Sequence, residues 1–220
     1  PRESVNGVAF GHRRAVAHPF WTGTGAGLRS PTMARRPPAT PPRPTAPTTL
    51  EAAWTDAWQR LARAVKDRRH AFRTPVVSTV TGAGVPRART VVLRGVDVAR
   101  GQLVFHTDAR SAKVADLVAG RPMAWCFYDP KARLQILASG EGRVAADGRE
   151  LAAAWSRISP LGRRTYLAEP GPGTPLSQPA SGLEHLDTFT EASTAPGQAV
   201  FRVVTCHLTT VERLDLAIEG

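Results

Sequence analysis

Between residues 50 and 65, apolar side chains recur at Leu50, Trp54, Trp58, Leu61 and Val65. Spacings of three and four put them on one face of a helix. Thr48 or Thr49 is placed to cap it, and Arg73-Thr74-Pro75 is expected to end it. From Pro75 the pattern changes to short apolar, β-branched runs at 75–80 (PVVSTV), 89–94 (RTVVLR), 102–107 (QLVFHT), 123–129 (MAWCFYD) and 133–146. Turn signals fall between them at 82–84, 95–101 and 129–132. Two short helices interrupt the strands. One covers 111–120 and is closed by Gly120 and Pro122; the other opens with Asp147 and Glu150 in capping-box spacing and runs to about Trp155. Residues 159–198 read mostly as loop, and two last strand-like runs follow at 199–206 and 208–216. Adjacent strands with sparse helices predict a mainly β (α+β) fold, a barrel with peripheral helices rather than a doubly wound sheet.

Composition divides the chain in two. Residues 1–47 hold nine of the 19 prolines and no sustained apolar period, so they read as a disordered tail ahead of a domain at 48–220. Met33 opens MARRPPATPP, and the tail is expected to be an upstream stretch from a generous start assignment, with an Arg-rich targeting peptide as the alternative. The net charge of +11 suggests nucleic acid, but seven arginines against one acid in 1–47 supply +6 of it. That tail has no aromatic platform interleaved with its arginines, so it reads as a solvated linker and no nucleic-acid partner is expected. No apolar run approaches the roughly 20 residues of a membrane span, and no membrane partner is expected. Cys126 and Cys206 lie far apart in strand-like runs, without CxxC spacing or a nearby His pair. They are expected to be buried and reduced in a cytoplasmic protein, with no metal site.

The stretch FHTDARSAKVADL (105–117) carries chemistry. It enters a helix whose first turn holds Arg110, Ser111 and Lys113, the wrong sign of charge for the positive end of a helix dipole. A phosphate monoester would turn that clash into mutual support, taking the free N–H groups, the hydroxyl and both cations together. In the alternative, Asp108 caps the helix and pairs with Arg110 while Lys113 points to solvent. Only three lysines occur in the chain, which makes Lys113 the more informative cation. In RTVVLR, Arg89 and Arg94 flank an apolar run whose backbone amides could lie along a planar ligand; an ordinary buried strand between solvated arginines would read the same way.

Taken in order, Arg-Thr-Val-Val-Leu-Arg, Phe-His-Thr, Arg-Ser-Ala-Lys, FYDP and Leu-Gln-Ile before a glycine resemble the FMN-binding split barrel of the pyridoxamine 5′-phosphate oxidase family. The similarity covers about residues 72–157, and 199–216 more loosely. It is closest to the branch reading D-x-R-S-x-K, with Trp155, Tyr166 and Pro170-Gly171 further on. The resemblance implies FMN as cofactor, its phosphate held by Arg89, Arg110, Ser111 and Lys113. It implies further that Thr90, Val91, Val92 and Leu93 lie along the flavin, that His106 and Thr107 flank the ribityl-phosphate part, and that Gln135 faces the polar edge of the ring. His106 is read as a binding residue rather than an acid or base, and no catalytic side chain is assigned. Arg94 would meet a small-molecule substrate where the oxidases commonly carry a lysine.

The same resemblance implies a homodimer with flavin sites built from both subunits, and hydride transfer from an amine or alcohol carbon with reoxidation by oxygen. A non-catalytic flavin-binding protein and a deazaflavin-dependent split-barrel reductase are the alternatives. Two departures stand out. The Tyr, Arg and Ser of the oxidase substrate pocket have no clear match in WSRISPLGRRTY (155–166). The chain ends at LDLAIEG where relatives continue into a strand bearing His and Arg, so the domain is expected to be truncated there, with a similar string, GHRRA, at 11–15.

Overall fold

The computed structural model describes residue 47, residues 49–145 and residues 148–216. The expectations for the tail before residue 47, for Thr48 and for Asp147 lie outside the described residues, as do residues 217–220.

The first helix, α1, spans Leu50–Lys66, and Thr49 caps it by accepting a hydrogen bond from the Ala52 amide at 3.1 Å. Its buried face differs from the expected one. Ala57, Trp58, Leu61 and Ala64 are buried, whereas Leu50 is 88% exposed and Trp54 49%. The two alanines let this face approach the sheet closely, and the first turns project beyond it. The helix also stops before Arg73: the Asp67 amide closes the last turn on Arg63. Arg73 follows in a single 3-10 turn and donates back to the Val65 and Ala64 carbonyls at 2.7 and 3.3 Å, satisfying groups that the helix end leaves free.

Seven strands form one antiparallel sheet: β1 (Val76–Val80), β2 (Pro86–Thr90), β3 (Leu93–Asp97), β4 (Gln102–Asp108), β5 (Pro122–Asp129), β6 (Leu134–Ala145) and β7 (Phe201–Asp215). Their order across the sheet is β2-β1-β5-β6-β7-β4-β3. The strands at its two edges, β2 and β3, are separated in sequence by Val91 and Val92 alone. Three virtual bonds reach at most about 11 Å, so the sheet must curl until its edges meet at this corner. That corrects the expectation of one strand over 89–94: the run breaks at Val91-Val92, where the Val91 amide bonds the Pro75 carbonyl at 3.0 Å.

A second correction concerns the C-terminal runs, which form one continuous 15-residue strand, β7, paired with β4 on one side and β6 on the other. Gly140 lies at a register shift in β6, and a Cβ there would stand 1.9 Å from the His207 carbonyl oxygen. The close crossing therefore needs glycine.

Period-two alternation places Met123, Trp125, Phe127, Leu134, Ile136, Leu103 and Phe105 inside the barrel with Trp58, Leu61 and Phe72. A second apolar cluster forms on the other face of β4 and β7. There Phe201 and Val203 pack against Leu151 and Trp155 of α3 (Gly148–Ser156). The short helix α2 (Ala112–Val118) lies against β6 and β1. The long connection after α3 is not wholly irregular: it holds two single-turn helices, α4 (Pro160–Arg163) and α5 (Glu191–Thr194). Cys126 is half-buried and Cys206 buried, both unpaired. Among the described residues no helix is long and apolar enough to cross a membrane.

Candidate functional site

At the end of the barrel beside α2, Lys113 is turned inward rather than to solvent. Its Nζ donates to Thr107 Oγ1 at 3.0 Å and to Ser111 Oγ at 2.5 Å. Thr107 reaches it because it shares the inward face of β4 with Phe105 and Leu103. Ser111 occupies the N-cap position of α2 without capping the backbone, its hydroxyl being taken by Lys113 instead. Burial, and next the charge of Arg89, pull the Lys113 ammonium down from 10.5 to about 8.

Arg89 projects from β2 on the face of Val77 and Thr79, and its Nη1 donates to Thr79 Oγ1 at 2.9 Å. The fully buried Thr79 hydroxyl donates in turn to Asp116 Oδ2 at 2.9 Å, and Arg121 stands 3.7 Å from the other carboxylate oxygen. Burial lowers the Arg89 pKa, and Asp116 opposes the shift. Among the described residues, neither Lys113 nor Arg89 has a carboxylate within 4.0 Å. Two like charges thus share a part-buried niche whose direct partners are hydroxyls. Such a donor set fits a phosphate: two cations plus the hydroxyls of Ser111 and Thr107. With α2 only seven residues long, side chains rather than a helix dipole carry this argument.

The remaining expected residues fall elsewhere. Arg110 is held by Asp108, with Nε and Nη2 donating to the carboxylate at 3.0 and 2.6 Å, while Asp108 also accepts from the Arg110 amide at 2.8 Å. Half of the alternative reading therefore holds, the Asp108–Arg110 pair, while its solvent-exposed lysine does not. Gly171 of the Pro-Gly loop packs on this arginine, since a Cβ there would lie 2.9 Å from Arg110 Cβ. His106 points to the opposite face of β4 from Thr107, edge-on to Phe201 at 4.9 Å between ring centroids, with its Nδ1 buried and without a partner. Burial first and Arg94 second push its pKa down to about 4. Gln135 sits on the outer sheet face between Tyr128 and Leu214, away from both groups.

Thr90, Val91, Val92 and Leu93 form the corner between β2 and β3, with Val91 and Leu93 buried. Arg89 lies at one end of this corner. Arg94 lies at the other and lines a cavity of about 740 Å3 between α1, β3 and α3, with His106, Arg73, Arg68, Arg157 and Glu150 among its walls. Sequence reasoning did not find Arg68, Arg73 and Arg157 for this cavity, or the Thr79–Asp116 pair behind Arg89. An acid three residues after Lys113 on the buried side of a short helix was the one available signal, since a buried carboxylate calls for a partner. Among the described residues no group of three or more His, Cys, Asp or Glu side chains could hold a metal ion.

Comparisons with known proteins agree with this architecture. Residues 51–146 match the family model described as the pyridoxamine 5′-phosphate oxidase, FMN-binding domain. The chain is 30% identical over 118 residues to a pyridoxine/pyridoxamine 5′-phosphate oxidase of Mesorhizobium japonicum, covering 54% of this chain and 53% of that protein. It is 35% identical over 118 residues to the enzyme of that name from Gluconobacter oxydans, covering 53% and 55%. The chain thus spans about half the length of the curated relatives it matches. Among solved structures, a pyridoxamine 5′-phosphate oxidase-related, FMN-binding protein of Nostoc punctiforme superposes with a TM-score of 0.59 at 24% identity, covering 74% of this chain and 84% of that one. PhzG of Burkholderia lata superposes with a TM-score of 0.54 at 19% identity, covering 72% and 77%. These likenesses establish the split-barrel fold.

Proposed function

We propose that this chain, whose residues 51–146 match the pyridoxamine 5′-phosphate oxidase, FMN-binding domain, is a cytoplasmic FMN-dependent oxidoreductase acting on a small anionic substrate. The observation that carries the reading is the pair of cations, Lys113 and Arg89, partnered directly by hydroxyls alone. Lys113, Arg89, Ser111 and Thr107 hold the FMN phosphate, which replaces the mutual repulsion of the two cations by attraction to a shared anion. Thr79 and Asp116 keep Arg89 aimed at it. Arg110, engaged by Asp108 and covered by Gly171, orders the loop beside the phosphate rather than binding it directly.

The chemistry FMN supplies when bound is acceptance of a hydride from a carbon bearing an amine or alcohol, with oxygen as the reoxidant. The corner from Thr90 to Leu93, whose Val91 amide is already taken by the Pro75 carbonyl, offers its remaining backbone groups and apolar side chains along a planar group, and it leads from the phosphate cradle to the cavity at Arg94. Arg94 meets an anionic group of the substrate. His106, neutral at neutral pH, offers a hydrogen bond there without adding charge. A second copy of the chain covers the outer sheet face, where Val76, Tyr128 and Leu214 are 38, 48 and 37% exposed around Gln135. Gln135 thereby reaches the polar edge of a flavin at the interface.

Purified full chain tests this directly: bound flavin absorbance is expected. Thermal shift with FMN at 100 times its dissociation constant should show about 2.7 kcal/mol of stabilisation, against little from a deazaflavin. Light scattering of the loaded protein should give a dimer. A colourless protein that FMN does not stabilise overturns the reading.

A further inference from the structure

The cavity between α1, β3 and α3 carries more positive charge than one phosphate group balances. Arg68 and Arg73 enter from the segment after α1, Arg94 from β3, and Arg157 from just beyond α3. Glu150 is the one carboxylate among the lining residues, and it is engaged by Arg143 at 3.1 Å. A phosphate monoester brings about −1.5 to −2, leaving roughly two cations of the four without a counter-charge. Arg73 cannot swing away to relieve this, since the Val65 and Ala64 carbonyls hold its guanidinium. Burial first, then the charges of Arg94 and Arg68, depress its pKa, and those two contributions put both arginines within electrostatic reach of Arg73. Between the arginines the walls include Val65, Val104, Ile158 and Val203, with His106 and Ser159 as the uncharged polar side chains.

We propose that this cavity takes a small molecule with an apolar body and two separated anionic groups, and that Arg68 and Arg73 form the subsite for the second of them. The first is met by Arg94 with Arg157. The proposal rests on the reading of this cavity as the substrate site and adds the substrate's class. A cavity of about 740 Å3 suits a single small ligand rather than a polymer.

The test compares two probes on the full chain by titration calorimetry in the presence of FMN: phenyl phosphate, with one anionic group, and 4-carboxyphenyl phosphate, which adds a carboxylate across the ring. The second is expected to bind at least tenfold more tightly. Arg68→Gln and Arg73→Gln should each cut that margin to about threefold or less and leave phenyl phosphate within threefold of its original affinity. Arg94→Gln should weaken both probes together. Should Arg73→Gln fail to fold because α1 loses its carbonyl clamp, Arg68→Gln carries the test, since its side chain makes no hydrogen bond or ion pair among the described residues. Equal affinity for the two probes overturns the proposal, and so does a margin that survives Arg68→Gln, which would mark it as attraction to the protein's overall charge. The readout requires no turnover. A chain that binds no FMN but keeps an Arg68-dependent margin retains this subsite and loses the oxidoreductase reading; FMN binding without the margin does the reverse.

Discussion

Replacing Lys113 with methionine should change the stability of the flavin-free protein and its FMN affinity in opposite directions. In the flavin-free protein the ammonium is held down to about 8 from 10.5, by burial first and Arg89 second. At about 1.4 kcal/mol per pKa unit, the charged form costs at most roughly 3.5 kcal/mol at neutral pH. The side chain still reaches water, so screening reduces this to about 1–2 kcal/mol. Loss of the bonds to Thr107 and Ser111 gives back up to about 1 kcal/mol, so Lys113→Met should leave flavin-free protein equal to wild type or more stable by up to about 2 kcal/mol. With phosphate present, the lost charge-assisted bond is worth about 1.5–3 kcal/mol, and FMN should bind roughly 10- to 100-fold more weakly.

Linkage gives a second signature for the same substitution. Because the folded pKa lies below the unfolded one, the unfolded chain binds more protons between about pH 8 and pH 10.5. Wild type should therefore gain stability across that window relative to the variant. Cys206, raised to about 11, and Tyr166, raised to about 12, act in the opposite sense as pH rises, but they cancel in the wild-type minus variant difference. Urea unfolding at about pH 7 and about pH 10, with FMN titration by fluorescence quenching, reads both quantities. A variant that is clearly less stable without flavin, shows no pH-dependent difference and binds FMN normally would make Lys113 a structural hydrogen-bond donor and refute the reasoning.

Thr79→Val should destabilise by about 1–3 kcal/mol, because Asp116 loses its hydroxyl donor in the interior; it should also weaken FMN binding through Arg89, and chemical denaturation with a parallel FMN titration measures both. His106 should remain neutral down to near pH 4 in an NMR titration. Since its folded pKa lies below the ordinary 6.5, its contribution to stability should be present above that pH and disappear as pH falls through about 4, an acid loss that His106→Phe removes. Gly140→Ala should cost roughly 3 kcal/mol or more in thermal or urea unfolding, because its Cβ would collide with the His207 backbone, which cannot move without breaking the β6–β7 pairing.

Much of the local structure was legible from residue order. Thr49 caps the helix that its position announces, the alternation in MAWCFYD places Met123, Trp125 and Phe127 inward, and the RSAK stretch brings Lys113 and Ser111 together, because these depend on neighbours within one turn or one pleat. The order and spacing of five short motifs also pointed to the FMN-binding domain family whose model matches residues 51–146. Tertiary structure alone decided the rest. RTVVLR reads as one strand, yet it breaks because sheet closure requires its halves to belong to opposite edges, a constraint set by five other strands. Arg110 and Lys113 are equivalent as charges in the sequence. Folding gives one to Asp108 and leaves the other beside Arg89, since which carboxylate a cation reaches depends on which face of β4 and α2 it leaves. Arg68, Arg73, Arg94 and Arg157 converge on one cavity from segments up to 89 positions apart, and that convergence comes from packing α1 and α3 on the same sheet.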